Sequence, residues 1–232
     1  MSTHHQDLLN AVLDVIQQHF AHDIAIMIVY GSFVDGTLTP SSDLDMLFIP
    51  KTPHGEQLAC TFILNGTGND LWGADWARLG AYAAFDDMKV SVLAESRLVY
   101  YDTEADRERY EALLRQVDAT VAGPLSIALV EKAEARMRTS QQYYGALSLS
   151  GDITAAGGIL YQACDIVCLL NHTYLPHGMK RWETEMGALL SLPDGFMNAF
   201  AAVASACTQE ERRTTCRDLL VCLDRFTAEK RR

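Results

Sequence analysis

The feature that most constrains this chain lies between residues 24 and 49. Ile24 to Tyr30 is a short apolar, β-branched run of the kind that forms a buried strand. Gly31-Ser32 ends it. Phe33 to Leu38 reads as a short helix or turn, and Thr39-Pro40-Ser41-Ser42 as a breaker cluster. Asp43 to Ile49 reads as a second strand, with Leu44, Met46 and Phe48 alternating against Asp43, Asp45 and Leu47. Period two puts Asp43 and Asp45 on one face with Cα atoms roughly 6.5–7 Å apart. Two carboxylates that close repel each other. A divalent cation offsets the repulsion, and Mg2+ usually combines one or two carboxylates with phosphates and water. The apolar residues on the opposite face anchor the pair in the core, which a metal site requires. Gly31 lets the backbone approach a phosphate closely. A helix start after it offers free N–H groups, and the Ser32 hydroxyl adds a donor.

Composition sets the frame. The chain has 232 residues, 49% hydrophobic and 21% charged, which is enough apolar material for a packed core and excludes a disordered reading. The formal net charge of −11 argues against a general nucleic-acid binder, since phosphate backbones need Lys and Arg. It does not argue against a small nucleotide held by a metal and a few local cations. Cys60, Cys164, Cys168, Cys207, Cys216 and Cys222 form no Cys-x-x-Cys pair. Cys164 and Cys168 are one helical turn apart and read as small buried residues in a reducing compartment rather than as metal ligands. The first residues carry no basic segment followed by an apolar one, and no apolar run approaches a membrane span. The expectation is a cytoplasmic protein with no membrane partner.

Along the chain, residues 6–20 carry Leu8, Leu9, Val12, Leu13, Val15, Ile16 and Phe20 at helical spacing. Thr61 to Leu64 predicts a third strand. Asn65-Gly66-Thr67-Gly68-Asn69 predicts a turn into Asp70-Leu71-Trp72. Residues 75–85 predict a helix opened by Asp75, and Met88 to Leu93 alternates like a last strand. Residues 103–117 are charged and helix-favouring. From Pro124 onward strand signals vanish, and helical patterns fit 124–149, 153–170, 180–191, 194–206 and 208–230, the last opened by a Thr208/Glu211 capping box. The fold expected is α+β: a small mixed-sheet domain over 1–118, then an all-α bundle over 119–232.

The string Val29-Tyr30-Gly31-Ser32, ten residues, then Asp43-Leu44-Asp45-Met46-Leu47-Phe48-Ile49 resembles the signature of the DNA polymerase beta-like nucleotidyltransferase superfamily. That group includes the kanamycin-type and other antibiotic nucleotidyltransferases. The likeness is strongest over 25–50 and looser to about residue 115. It implies transfer of a nucleoside monophosphate from a nucleoside triphosphate (NTP) to an acceptor hydroxyl, with release of pyrophosphate and, by expectation, two Mg2+ ions. It also implies a third carboxylate on a neighbouring strand. The candidates are Asp70, Asp86 and Asp87. Asp70 is preferred because it follows the turn and opens a strand, whereas the stretch after Asp87 carries Lys89 and Ser91 at its polar positions. The catalytic and metal-binding set expected is therefore Asp43, Asp45 and Asp70, with Asp87 as the alternative third member. Gly31 and Ser32 are expected at the phosphates.

Residues 157–182 resemble the helical domain fused to antibiotic-type nucleotidyltransferases, which implies a wall of the cleft, with Lys180 and Arg181 meeting the triphosphate. Tyr174, His172 and His177 read as loop residues. Asp165, Glu183 and Glu185 are open, unranked candidates for an acceptor-side acid or base. The acceptor expected is a small hydroxyl compound, aminoglycoside-like in that an acidic surface attracts a polycation. The alternatives are nucleotidylation of a protein or an RNA end, and a degenerate module that binds a nucleotide without transfer. The oligomeric state stays open, a homodimer completing the cleft included.

Overall fold

The computed structural model describes residues 3–39, 41–64 and 66–231. Pro40 of the breaker cluster and Asn65 of the expected turn lie outside them. The chain folds as two compact units, Met1–Asp118 and Ala119–Arg232.

The first unit is built on a five-stranded mixed sheet. Its strands are β1 (Ile24–Tyr30), β2 (Asp45–Pro50), β3 (Cys60–Leu64), β4 (Thr67–Gly73) and β5 (Arg97–Tyr101), in the order β3-β4-β2-β1-β5. β1 pairs antiparallel with β2 and β5, β2 pairs parallel with β4, and β3 closes one edge antiparallel to β4. Helix α1 (Thr3–Val15) runs into a π-helical turn at Ile16–Phe20. Leu8, Leu9 and Ile16 bury their apolar side against Met27, Val29, Met46 and Phe48. Ile26, Ile28, Leu47 and Ile49 point to the opposite face and are also buried, so both faces of the central strands are covered. Short helices α2 (Ser32–Asp35) and α3 (Pro53–Glu56) follow β1 and β2. Helices α4 (Trp76–Ala83) and α5 (Val90–Ala94) lie between β4 and β5. The Asp75 carboxylate caps α4 by accepting from the Arg78 N–H at 2.7 Å.

The structure departs from the sequence reading in three places here. Met88 to Leu93 is not a strand. Asp87 Oδ1 accepts from the Lys89 N–H at 3.0 Å, which turns the chain, and Val90 and Leu93 are then buried at helical spacing. The missing strand is β5, which lies further along the chain at Arg97–Tyr101. The turn after β3 is two residues long, since Leu64 pairs with Thr67, so Thr67, Gly68 and Asn69 belong to β4. Finally, β2 starts at Asp45, so Asp43 lies outside the ladder.

The second unit is all helical. Helix α6 (Glu104–Ala122) leads from the first unit into it, followed by α7 (Ile127–Ser150) and α8 (Ile153–Leu170). A 3-10 turn at Gly178–Arg181 precedes α9 (Trp182–Gly187), and α10 (Phe196–Ser205) and α11 (Gln209–Lys230) complete the unit. The expected Thr208/Glu211 capping box opens α11. Helix α8 packs against α7, α10 and α11. By length and composition it is apolar enough to cross a membrane, which corrects the reading that no run approaches a span. It is mostly buried, and it carries Asp165, whose Oδ2 accepts from Arg136 Nε at 2.5 Å.

Candidate active site

The site lies at one end of the sheet, where β1 ends and β2 starts. Tyr30 is the register partner of Asp45 across the β1–β2 ladder, and Asp45 is the register partner of Asp70 across the β2–β4 ladder. Partners in register leave the sheet on the same face, so Tyr30, Asp45 and Asp70 form a row across three adjacent strands. Trp72, two residues beyond Asp70, shares that face. Its indole Nε1 donates to the Tyr30 hydroxyl at 2.7 Å, with the two rings edge to face. The Thr61 hydroxyl on β3 donates to Asp70 Oδ1 at 2.7 Å and orients that carboxylate. Burial raises the pKa of the Tyr30 hydroxyl well above its ordinary value, and the charges of Asp45 and Asp70 push it the same way. Tyr30 is thus a neutral donor and acceptor beside two carboxylates.

Gly31 follows directly. It has φ +70° and ψ −152°, and a Cβ built on it would stand 2.8 Å from Asp45 Oδ2. The bare glycine leaves the space into which the Asp45 carboxylate leans. Ser32 begins α2. That helix is one turn long, so it brings few aligned peptide dipoles to the turn, fewer than a helix start predicted from the sequence would supply.

Asn69 ties β4 to the segment before β2. It is buried, its Oδ1 accepts from the Leu44 N–H at 3.2 Å, and its Nδ2 donates to the Thr67 carbonyl at 3.0 Å. The Asp70 N–H reaches the Leu44 carbonyl at 3.4 Å. On the other side, His5 Nε2 hydrogen-bonds the Ser42 carbonyl at 2.8 Å. The side chains of His5 and Asn69 and the Asp70 N–H thus hold residues 42–44, and the β1–β2 ladder starts at Asp45. Sequence reasoning missed Asn69, which it took as a turn residue. No sequence signal marks it, since only its burial and its bond to Leu44 set it apart from an ordinary turn residue.

The expected site residues therefore separate. Asp45, Asp70 and Gly31 come together, with Ser32 next in the chain. Asp43 is exposed, two residues ahead of Asp45. Among the described residues no group of three or more His, Cys, Asp and Glu side chains is arranged to hold a metal ion. The two adjacent carboxylates are hard oxygen donors of the type Mg2+ accepts, and Mg2+ is commonly held by one or two carboxylates plus substrate phosphates. Asp87, the alternative, is engaged with the Lys89 backbone. Lys180 and Arg181 are exposed in the 3-10 turn of the helical unit, immediately before the start of α9. Of the acceptor-side candidates, Asp165 is buried against Arg136, Glu185 accepts from both the backbone N–H and the ring Nδ1 of His177, and Glu183 is exposed. His172 Nδ1 sits 3.0 Å from the Val121 carbonyl. Cys164 and Cys168 are buried free thiols; burial pushes the Cys164 thiol up to about 12 and raises Cys168 as well.

No protein-family model and no curated protein matches the sequence. Solved structures are distantly similar. A nucleotidyltransferase-like protein from Exiguobacterium sibiricum 255-15 is 14% identical, with 95% of this chain and 74% of that chain covered and a TM-score of 0.46. Spectinomycin adenyltransferase AAD(9) from Enterococcus faecialis, solved with ATP and spectinomycin, is 11% identical, with 98% of this chain and 99% of that chain covered and a TM-score of 0.37.

Proposed function

We propose that this protein is a metal-dependent nucleotidyltransferase that moves a nucleoside monophosphate from an NTP to a hydroxyl of a small acceptor. The observation that supports this reading is the in-register pairing of Asp45 with Asp70 beside Gly31. Two carboxylates side by side on a sheet repel each other, a shared cation offsets that repulsion, and Gly31 leaves one of them room to lean into the site. Asp45 and Asp70 would hold Mg2+, with Asp43 assigned the same role on sequence grounds. When bound, the metal would neutralise phosphate charge and polarise the transferring group.

In the transfer, the acceptor oxygen bonds to the α-phosphorus. The bond from that phosphorus to the bridging oxygen breaks, and pyrophosphate leaves with the bonding pair. The acceptor proton passes to a carboxylate, for which we assign Asp70, held in orientation by the Thr61 hydroxyl. Gly31 and Ser32 bind the phosphates through backbone N–H and hydroxyl donors. Tyr30 and Trp72 wall the carboxylates on one side and limit water there. Lys180 and Arg181 are further candidates for the triphosphate, assigned from the sequence. An aminoglycoside-like acceptor fits the net charge of −11, which attracts polycations. Six free thiols fit a reducing, cytoplasmic setting.

The test is product identity. Purified protein, Mg2+, each NTP in turn and a panel of hydroxyl compounds are incubated and analysed by mass. The proposal expects an acceptor whose mass rises by one nucleoside monophosphate. Binding of NTP with no adduct on any small acceptor, protein or RNA end would favour the non-catalytic alternative.

A further inference from the structure

A cation sits over the aromatic side chain that neighbours Asp70 on the sheet face, on a segment whose sequence pattern imitates a strand. Asp87 fixes the Lys89 backbone by accepting its N–H. The Lys89 side chain then reaches over the Trp72 ring, with Nζ 5.6 Å from the ring centroid. Trp72 is itself held by the Tyr30 hydroxyl, and it leaves the sheet on the face of Asp70. Lys89 is therefore anchored at its backbone by Asp87 and at its side chain by an aromatic shelf. The ring's negative face attracts the ammonium, which favours this placement without consuming the hydrogen-bond donors.

We propose that Lys89 is a phosphate-binding residue of this site, its ammonium engaging the outer phosphate oxygens of a nucleotide bound at Asp45 and Asp70. This role rests on the nucleotidyltransferase reading of the site. A lone pair of aspartates repels a polyanion. A bound divalent ion offsets part of that repulsion, and a pre-placed ammonium on the same face offsets more. The consequence is selectivity: the β- and γ-phosphates feel Lys89, and a monophosphate lacks them. The segment that carries Lys89 is then part of the substrate site rather than a surface strand.

The test titrates the full-length protein calorimetrically, in Mg2+, with non-hydrolysable analogues of adenosine, guanosine, cytidine and uridine triphosphate. The matching monophosphates serve as the comparison. Lys89→Gln should weaken the preferred triphosphate by about tenfold, the size of one charge-assisted contact, and leave the monophosphate unchanged. Lys89→Arg should restore most of the loss. Triphosphate affinity unchanged in Lys89→Gln would overturn the role of Lys89 alone. So would an equal loss for triphosphate and monophosphate, which marks a merely structural contact. A wild-type protein that binds no triphosphate would overturn the nucleotide reading and the Lys89 role together.

Discussion

Gly31, at φ +70° and ψ −152°, occupies a region that residues with a Cβ all but avoid. Its hypothetical Cβ also collides with Asp45 Oδ2 at 2.8 Å. Gly31→Ala is therefore expected to cost about 1–3 kcal/mol of stability in a urea titration, and to lower transfer more than the stability loss explains, because the carboxylate must move. Tyr30 links pH to stability. Its folded-state pKa is raised above the ordinary value of 10.0, first by burial and then by Asp45. Its contribution is thus complete below pH 10 and is lost as pH rises towards the folded value, because the unfolded state releases its proton first. Unfolding midpoints should fall above pH 10, less steeply in Tyr30→Phe than in wild type; equal slopes would contradict this. The nearness of Gly31 to Asp45 was legible in the sequence because the Gly-Ser turn and the Asp-x-Asp pair lie on consecutive strands. Asn69 and Lys89 were not. One read as a turn residue and the other as a strand's polar position, and only tertiary contacts with Leu44 and Trp72 set them apart.

Secondary elements show the same division. β1, β2, the β3–β4 hairpin and the long helices of the second unit are readable because their hydrophobic period runs for many residues or ends at a strong turn or cap. Met88–Leu93 misleads because its short alternation fits a strand, and the two positions that decide, Val90 and Leu93, also fit a helix turn. β5 escaped notice because Arg97–Tyr101 is short and half-exposed, and the strand-like alternation of Met88–Leu93 just before it stood in for the last strand. Helix α8 is readable as buried, and its Asp165 is the exception that needs an explanation. Arg136 Nε donates to it at 2.5 Å, with the Asp165 side chain nearly buried. Asp165→Ala should destabilise the protein by about 2–4 kcal/mol, below the fully buried case because Arg136 is a quarter exposed. A chemical denaturation showing under about 1 kcal/mol, the range of an exposed pair, would argue that the pair is replaceable by water.

At the scale of the whole molecule, the proposed function asks an acidic chain to bind a polyanion, so metal and nucleotide should be linked. Mg2+ with NTP at about a hundred times the dissociation constant should stabilise the folded protein by about 2.7 kcal/mol. Chelation with EDTA should remove that gain, and NTP without metal should give much less. The α+β architecture was legible because strand signals end and helical ones take over near the Gly123-Pro124 break. The oligomeric state and the acceptor left no such mark, since neither depends on periodicity. In the proposed reaction Asp45 and Asp70 act as one carboxylate pair. The most direct measurement is Mg2+-dependent pyrophosphate release with NTP and a productive acceptor, in wild type, Asp45→Asn, Asp70→Asn and the double variant. Each single change is expected to lower the rate at least about a hundredfold, with the double variant little worse than the singles, as for residues that act as a unit. Wild-type rates in Asp45→Asn or Asp70→Asn, with the fold intact, would contradict it.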